Sequence, residues 1–314
     1  MLQQIILPRY NSKLEEQLIN LFHSSNLPLY FNETGYKDFT NYQRISLIVL
    51  FKRSKKSIRD FIDELKESKW PSWLDLKRIP KKSTFHDWLK LFSTTLIRKL
   101  IYLVTDTSDL KIAAIDGSGI QSNFRSPYYE KRLKDFNQIT KDGYNKLDII
   151  VDTFGKKQIL DYSFLLKNRN DSFVAKKLLK KIKFIRCKIL ADKGYPDYVF
   201  MDIAKERQNN FVSPPKDYKG KCKHNNLKRR RKEENFQANK LAYKRRPIVE
   251  TVFSILKRVQ DLKLRSRLSY MKKREMGWHI LLYNVRRTIV FETNSTGFEQ
   301  SQIHSFFIFI FIFY

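Results

Sequence analysis

Three carboxylates stand where strand ends or a helix start could bring them together for metal-assisted chemistry: Asp116, Asp192 and Glu250. Asp116 directly follows the apolar run Ile112-Ala-Ala-Ile115 and opens Asp116-Gly117-Ser118-Gly119. Asp192 follows the apolar run from Cys187 to Ala191 and opens Asp192-Lys193-Gly194-Tyr195. A strand end holds a side chain rigidly, and a nearby glycine lets a substrate backbone come close. Asp-Gly is also a common turn former, which accounts equally well for either aspartate taken singly.

Glu250 lies in Tyr243-Lys-Arg-Arg246-Pro-Ile-Val-Glu250-Thr-Val-Phe-Ser-Ile-Leu-Lys257. Pro247 suits the first turn of a helix, and a helix N-terminus favours the negative charge of Glu250 one turn in. At about 100° per residue, Glu250 and Lys257 share one face, with Val252, Ile255, Leu256 and Val259 opposite. Tyr243 and Arg246 would extend that stripe only if helical geometry reached back past Pro247, which the residue before a proline disfavours. A solvated Glu and Lys face is the simpler alternative.

Taken together, three carboxylates at one edge of a sheet can hold two Mg2+ (or Mn2+) ions through oxygen ligands and leave positions open for water and phosphate. Two ions about 3.5–4 Å apart would activate an attacking oxygen and stabilise a leaving one at phosphorus. No P-loop, HExxH or GxSxG motif competes with this reading.

The elements that must position these residues follow from periodicity and turn signals. Asn41 to Lys52 and Ser57 to about Lys66 are predicted helices. A third, carrying Phe85, Trp88, Leu89 and Phe92, is predicted to be capped by Ser83 or Thr84. Lys52, Arg53, Lys55, Lys56, Lys81 and Lys82 mark the junctions, as a helix-turn-helix DNA reader requires; a plain helical bundle gives the same pattern. From Lys111 the character changes. Strand Ile112 to Ile115, a hairpin of Leu147 to Thr153 with Gln158 to Leu165 around Phe154-Gly155, helix Asp171 to Lys183, strand Cys187 to Ala191, helix Pro196 to Gln208 and strand Asn210 to Val212 come in that order. Three strands, then helix, strand, helix and strand, describe an α/β mixed sheet flanked by helices, the order of the RNase H-like fold.

A chain of 314 residues with 42% hydrophobic content can bury a sizeable core. Its net charge of +30 makes a polyanion the natural partner, nucleic acid before anionic lipid. Between Lys216 and Arg246, thirteen basic and three acidic residues surround the run Lys228, Arg229, Arg230, Arg231, Lys232, within a basic connection spanning 214–242. Cys187 and Cys222 suit neither a disulfide framework nor a zinc site, and read as reduced intracellular thiols. The final ten residues, from Ser305 to Phe-rich Tyr314, are too short to span a bilayer as a helix, so no membrane partner is expected. They read as an added strand, or as sequence translated past an ancestral stop, with no assigned function.

From about residue 40 to residue 290 the chain resembles the bacterial and archaeal insertion-sequence transposases of the DDE class, whose catalytic domain is RNase H-like. The spacing of Tyr243, Arg246, Glu250 and Lys257 matches the family's YREK signature without a gap. Ile115-Asp116-Gly117-Ser118 resembles the first catalytic motif and Ala191-Asp192-Lys193-Gly194-Tyr195 the second. The stretch ending in Ser83-Thr-Phe-His-Asp-Trp-Leu89 is similar to the helical DNA-binding segment that precedes this domain. The large strand-rich insert that some relatives carry between the second aspartate and the glutamate has no room here.

The resemblance implies that Asp116, Asp192 and Glu250 are catalytic metal ligands. It implies that Arg246 and Lys257 contact phosphates at the cut site and that Tyr243 stacks on or hydrogen-bonds the DNA end. Lys228 to Arg231 would add DNA contacts. The implied reaction is hydrolysis at the element's ends, followed by attack of the freed 3′-hydroxyl on target DNA. The partners are then terminal inverted repeats and target DNA, with a homodimer when two ends are synapsed, in a prokaryotic cytoplasm at the nucleoid. The implied division is a helical DNA-binding region over 1–105, a catalytic domain over 106–293 and a tail over 294–314. A domesticated copy that only binds DNA is the alternative.

Overall fold

The computed structural model describes residues 9–31, 37–120, 145–166, 171–195, 199–215 and 227–311. Helices α1 (Arg9–Ser25), α2 (Asn41–Ser54), α3 (Ile58–Glu67), α4 (Trp70–Trp73), α5 (Lys82–Leu91) and α6 (Thr94–Val104) precede the sheet. Their starts are set by side-chain caps. Thr40 and Gln43 form a reciprocal capping box at α2, Ser57 accepts from the Asp60 N–H at α3, and Ser93 accepts from the Leu96 N–H at α6. α5 differs from expectation: Lys81 is its N-cap and makes no side-chain cap bond, so Ser83 and Thr84 lie inside the helix. Trp70-Pro-Ser-Trp73 forms a short helix of its own, with Pro71 in its first turn.

The sheet comprises β1 (Ile112–Ile120), β2 (Asn145–Asp152), β3 (Ile159–Leu165), β4 (Lys188–Leu190) and β5 (Asn210–Val212), in the order β3-β2-β1-β4-β5. β1, β2 and β3 pair antiparallel, while β4 and β5 pair parallel to β1 and to each other. α7 (Asp171–Leu179) leads from β3 into β4 and α8 (Val199–Glu206) joins β4 to β5, and both cover one face. This is the mixed, helix-flanked α/β sheet of the RNase H-like order. β1 is longer than predicted, because β2 runs beside it from Asp152 back to Asn145 and supplies partners as far as Ile120. Asp116 is therefore inside a strand, opposite Ile149, and the turn-former reading of Asp116-Gly117 is excluded.

Successive β1 side chains alternate between two cores. Ile115 and Ala113 face the α7 and α8 side; Ala114 and Ile120 face a larger core shared with the helical region. That larger core runs without interruption from Leu14, Ile45 and Phe85 through Leu147 and Ile149 to Val252, Trp278 and Tyr283. It thus crosses residue 105, and α6 packs directly on the long helix α12 (Ser269–Phe311). Gly277 lets the chain pass close there: a Cβ would meet Ile97 Cγ2 at 2.7 Å and Tyr162 Oη at 3.1 Å.

The basic connection contains two helices, α9 (Leu227–Ala238) and α10 (Lys240–Tyr243). α9 closes the β5 edge: Asn235 Nδ2 donates to the Phe211 carbonyl, and Lys232, buried, donates to the Tyr195 carbonyl at 3.4 Å. At the other end of the chain α12 continues as helix through Phe311, so the added-strand reading of the tail fails for the described residues 305–311. No helix among the described residues is long and apolar enough to cross a membrane.

Candidate active site

α11 (Ile248–Ser254) carries Glu250 across the β1 face that holds Asp116. Val249, Val252, Phe253 and Leu256 anchor it in the larger core. Pro247 does not break the alignment of the residues before it. The Arg246 N–H bonds to the Tyr243 carbonyl, the Val249 N–H to the Arg246 carbonyl and the Glu250 N–H to the Pro247 carbonyl, at 3.0 to 3.2 Å. These are tight i to i+3 bonds, so a 3₁₀-like run carries Tyr243 and Arg246 into α11 on the side of Glu250.

Arg246 is the centre of the cluster. Its Nη2 donates to Asp116 Oδ2 at 3.0 Å, and its Nη1 donates to Glu250 Oε1. One guanidinium therefore bridges two carboxylates that are 134 positions apart in the chain, one on β1 and one on α11. Arg246 and Asp116 are largely covered, 15% and 20% exposed, whereas Glu250 is 57% exposed and opens to solvent.

Past Ser254 the helix widens into one π-helical turn, Ile255–Val259. The wider turn carries its residues out of regular α-helical phase, and Val259 at its end, expected on the face opposite Glu250, is exposed. Lys257 is aimed back at the sheet, where its Nζ donates to Ser118 Oγ at 2.7 Å. Ser118 lies two residues beyond Asp116 on the same strand and so on the same face. Its role is new: Ser118 belonged to the first motif, but only the extension of β1 reveals that it faces α11. Single π turns inside helices recur at functional sites.

Asp192 comes just after β4, where the Ala191 N–H bonds to the Val212 carbonyl and the Tyr195 N–H closes a turn on the Asp192 carbonyl. The electrostatics join it to the others. Burial pushes the Asp116 carboxyl above its ordinary value; the Gly117 N–H and Arg246 oppose this, while the charges of Asp192 and Glu250 add to it. Burial likewise raises the Tyr243 hydroxyl, with Arg246 opposing and Asp192, Asp116 and Glu250 reinforcing. Asp116 and Tyr243 thus both lie within range of the charges of Arg246, Asp192 and Glu250. Among the described residues, no three His, Cys, Asp or Glu side chains are drawn together as a metal-holding group. The cation between Asp116 and Glu250 is Arg246.

The other basic residues divide. Arg230 and Arg231 are exposed on α9, Arg230 pairing with Glu234 at 2.9 Å on the same helix. The side chains of Lys228 and Arg229 lie outside the described residues. Of the junction lysines, Lys52 is not available to a partner: it is 8% exposed and bonded to Glu275 at 2.9 Å. Lys55, Lys56, Lys81 and Lys82 are exposed, with Lys56 paired to Glu64 at 3.0 Å. Cys187 is a buried core thiol whose pKa burial pushes up to about 12, while Cys222 lies outside the described residues.

Residues 107–285, which include Asp116, Asp192, Tyr243, Arg246, Glu250 and Lys257, match the family described as the transposase DDE domain. The chain belongs to this family. Its DDE domain thus takes in the whole of the sheet and the helical run from Tyr243 through Lys257. A piggyBac transposase synaptic complex with hairpin DNA, solved by cryo-EM, is similar at a TM-score of 0.42 and 12% identity, over 91% of this chain and 74% of that one. No curated protein matches the sequence.

Proposed function

We propose that the chain is a DNA transposase in which Asp116, Asp192 and Glu250 hold divalent metal, two Mg2+ or Mn2+ ions, and cut and rejoin DNA strands. The bridging of Asp116 and Glu250 by a single cationic group, in a domain of the DDE family, carries this reading. The donor set fits. All three candidates offer hard carboxylate oxygens, and a cation already stands between two of them. When bound, two such ions supply charge stabilisation at the attacking and leaving oxygens of an in-line displacement.

The chain's own residues do the rest. Arg246 and Lys257 hold phosphates beside the scissile bond, as a planar fork and a point charge respectively. Tyr243 presents its ring to the DNA end, and the exposed cations of α9, with Lys228 and Arg229, track the backbone. The first strand cut uses water and leaves a 3′-hydroxyl. In the second step that hydroxyl oxygen bonds to a target phosphorus as the target's own P–O bond breaks, so one phosphodiester replaces another. The helices before β1 read terminal repeats, over a region we place at 1–105 ahead of a catalytic region at 106–293. Two copies meet when two ends are synapsed.

The test is cleavage of DNA carrying the element's own ends by purified protein with Mg2+ or Mn2+. Asp116→Ala is expected to bind those ends and not cut them, and equal cutting by that variant would overturn the assignment. Specific, salt-sensitive binding without any metal-dependent cutting would instead mark a chain that only binds DNA.

A further inference from the structure

We infer that Arg246 is a latch for the metal site: it occupies the divalent cation's place in the free protein and must leave it for a phosphate when the site is loaded. The inference rests on the proposed role of Asp116 and Glu250 as ligands. Three observations carry it. First, the Arg246 guanidinium spends two donors on the two carboxylates, bonding Asp116 Oδ2 at 3.0 Å and Glu250 Oε1. Carboxylate oxygens engaged by a guanidinium fork have their lone pairs directed at it, so an ion entering between them competes with Arg246 for the same atoms.

Second, the pose leaves Arg246 incompletely satisfied. Its Nε–H is buried with no hydrogen-bond partner among the described residues. Such a donor is costly to leave unpaired, so this arrangement is one that a better acceptor can replace. A phosphate oxygen is that acceptor, because the guanidinium edge formed by Nε and one Nη matches it bidentately.

Third, the neighbouring cation is stationed differently. Lys257 is bonded to the neutral hydroxyl of Ser118 at 2.7 Å, so it can turn to a phosphate without first leaving a carboxylate. The two signature cations thus start from opposite states. Arg246 links DNA engagement to metal loading, since a phosphate that draws the guanidinium away frees the carboxylates. Before that, Arg246 keeps Asp116 and Glu250 together against their mutual repulsion.

The experiment is Mn2+ titration of the full chain without DNA, followed by the EPR signal of free Mn2+. Arg246→Ala and Arg246→Lys should each bind Mn2+ about three- to tenfold more tightly than the unsubstituted chain, since partly exposed ion pairs are individually modest. The lysine variant separates bridging from charge: it keeps the positive charge and cannot bond both carboxylates in the same way. It also decides the matter if the alanine variant does not fold. Arg246→Lys with the wild-type Mn2+ affinity, or weaker, would overturn the latch. Asp116→Asn should abolish the same Mn2+ site in every background. If wild type holds no Mn2+ that this change removes, the metal-binding reading itself fails and the latch falls with it.

Discussion

Acid should loosen this protein through one buried histidine. His279, on α12, is 5% exposed, and burial drives its pKa from the ordinary 6.5 down to about 3, with the Lys52 ammonium lowering it further and Glu275 partly opposing. Arg265 and Asp261, from the loop after the π turn, add smaller opposing effects. The unfolded chain therefore takes up a proton below pH 6.5 that the folded chain refuses until about pH 3. A depressed histidine pKa means that its stability is complete above pH 6.5 and is lost as the pH falls through that window. At about 1.36 kcal/mol per pH unit, the loss from this group alone reaches about 2 kcal/mol by about pH 5. Below pH 4.5 Glu275 works in the same direction. Burial tends to raise its carboxyl, but the Lys52 ammonium, His279 and the Ser266 N–H outweigh this and hold it at about 2.

Urea unfolding at pH 5, 6 and 7, run in parallel on wild type and His279→Leu, isolates the term. Wild type should lose about 2 kcal/mol more than the variant between pH 7 and pH 5. Parallel loss in both proteins would refute the buried, neutral imidazole.

Glu275→Ala leaves Lys52 buried and unpaired and should cost about 3–5 kcal/mol in urea unfolding, most of it recovered in the double substitution Lys52→Met with Glu275→Leu. Gly277→Ala places a methyl against Ile97 and Tyr162 and should cost about 1–3 kcal/mol, read as a lower midpoint in the same assay. Lys257→Ala should weaken binding to element ends across sequences and reduce the salt slope of log K by about 1, measured by anisotropy from about 50 to 200 mM salt.

Much of the site was legible because its residues cluster in short segments. Tyr243, Arg246, Glu250 and Lys257 lie within fifteen positions, and local helical geometry suffices to place Glu250 and Lys257 together. The strand order was legible from apolar runs and turns. What escaped depends on distant partners. The length of β1, and with it the direction of Ser118, is set by pairing with β2 across 24 residues that lie outside the described ones. Lys52 looked like a surface cation at a helix junction because the carboxylate that buries it is 223 positions away. The π turn at Ile255–Val259 has no sequence signal of its own, and Val259 at its end is exposed where regular geometry places it opposite Glu250. Arg246 was expected to face DNA alone; its hold on both carboxylates comes from the meeting of α11 with β1.

The central claim is that Asp116, Asp192 and Glu250 act as one metal-dependent cutting centre. Its most direct test is end cleavage by wild type, Asp116→Asn, Asp192→Asn and Glu250→Gln at matched DNA occupancy, with Mn2+ present or chelated. Wild type should cut only with metal, and each variant should bind the ends while losing at least about a hundredfold in cleavage rate, the order seen when a group stabilising the transition state is removed. Cutting that persists under chelation, or any one of the three variants cutting at the wild-type rate, would contradict it.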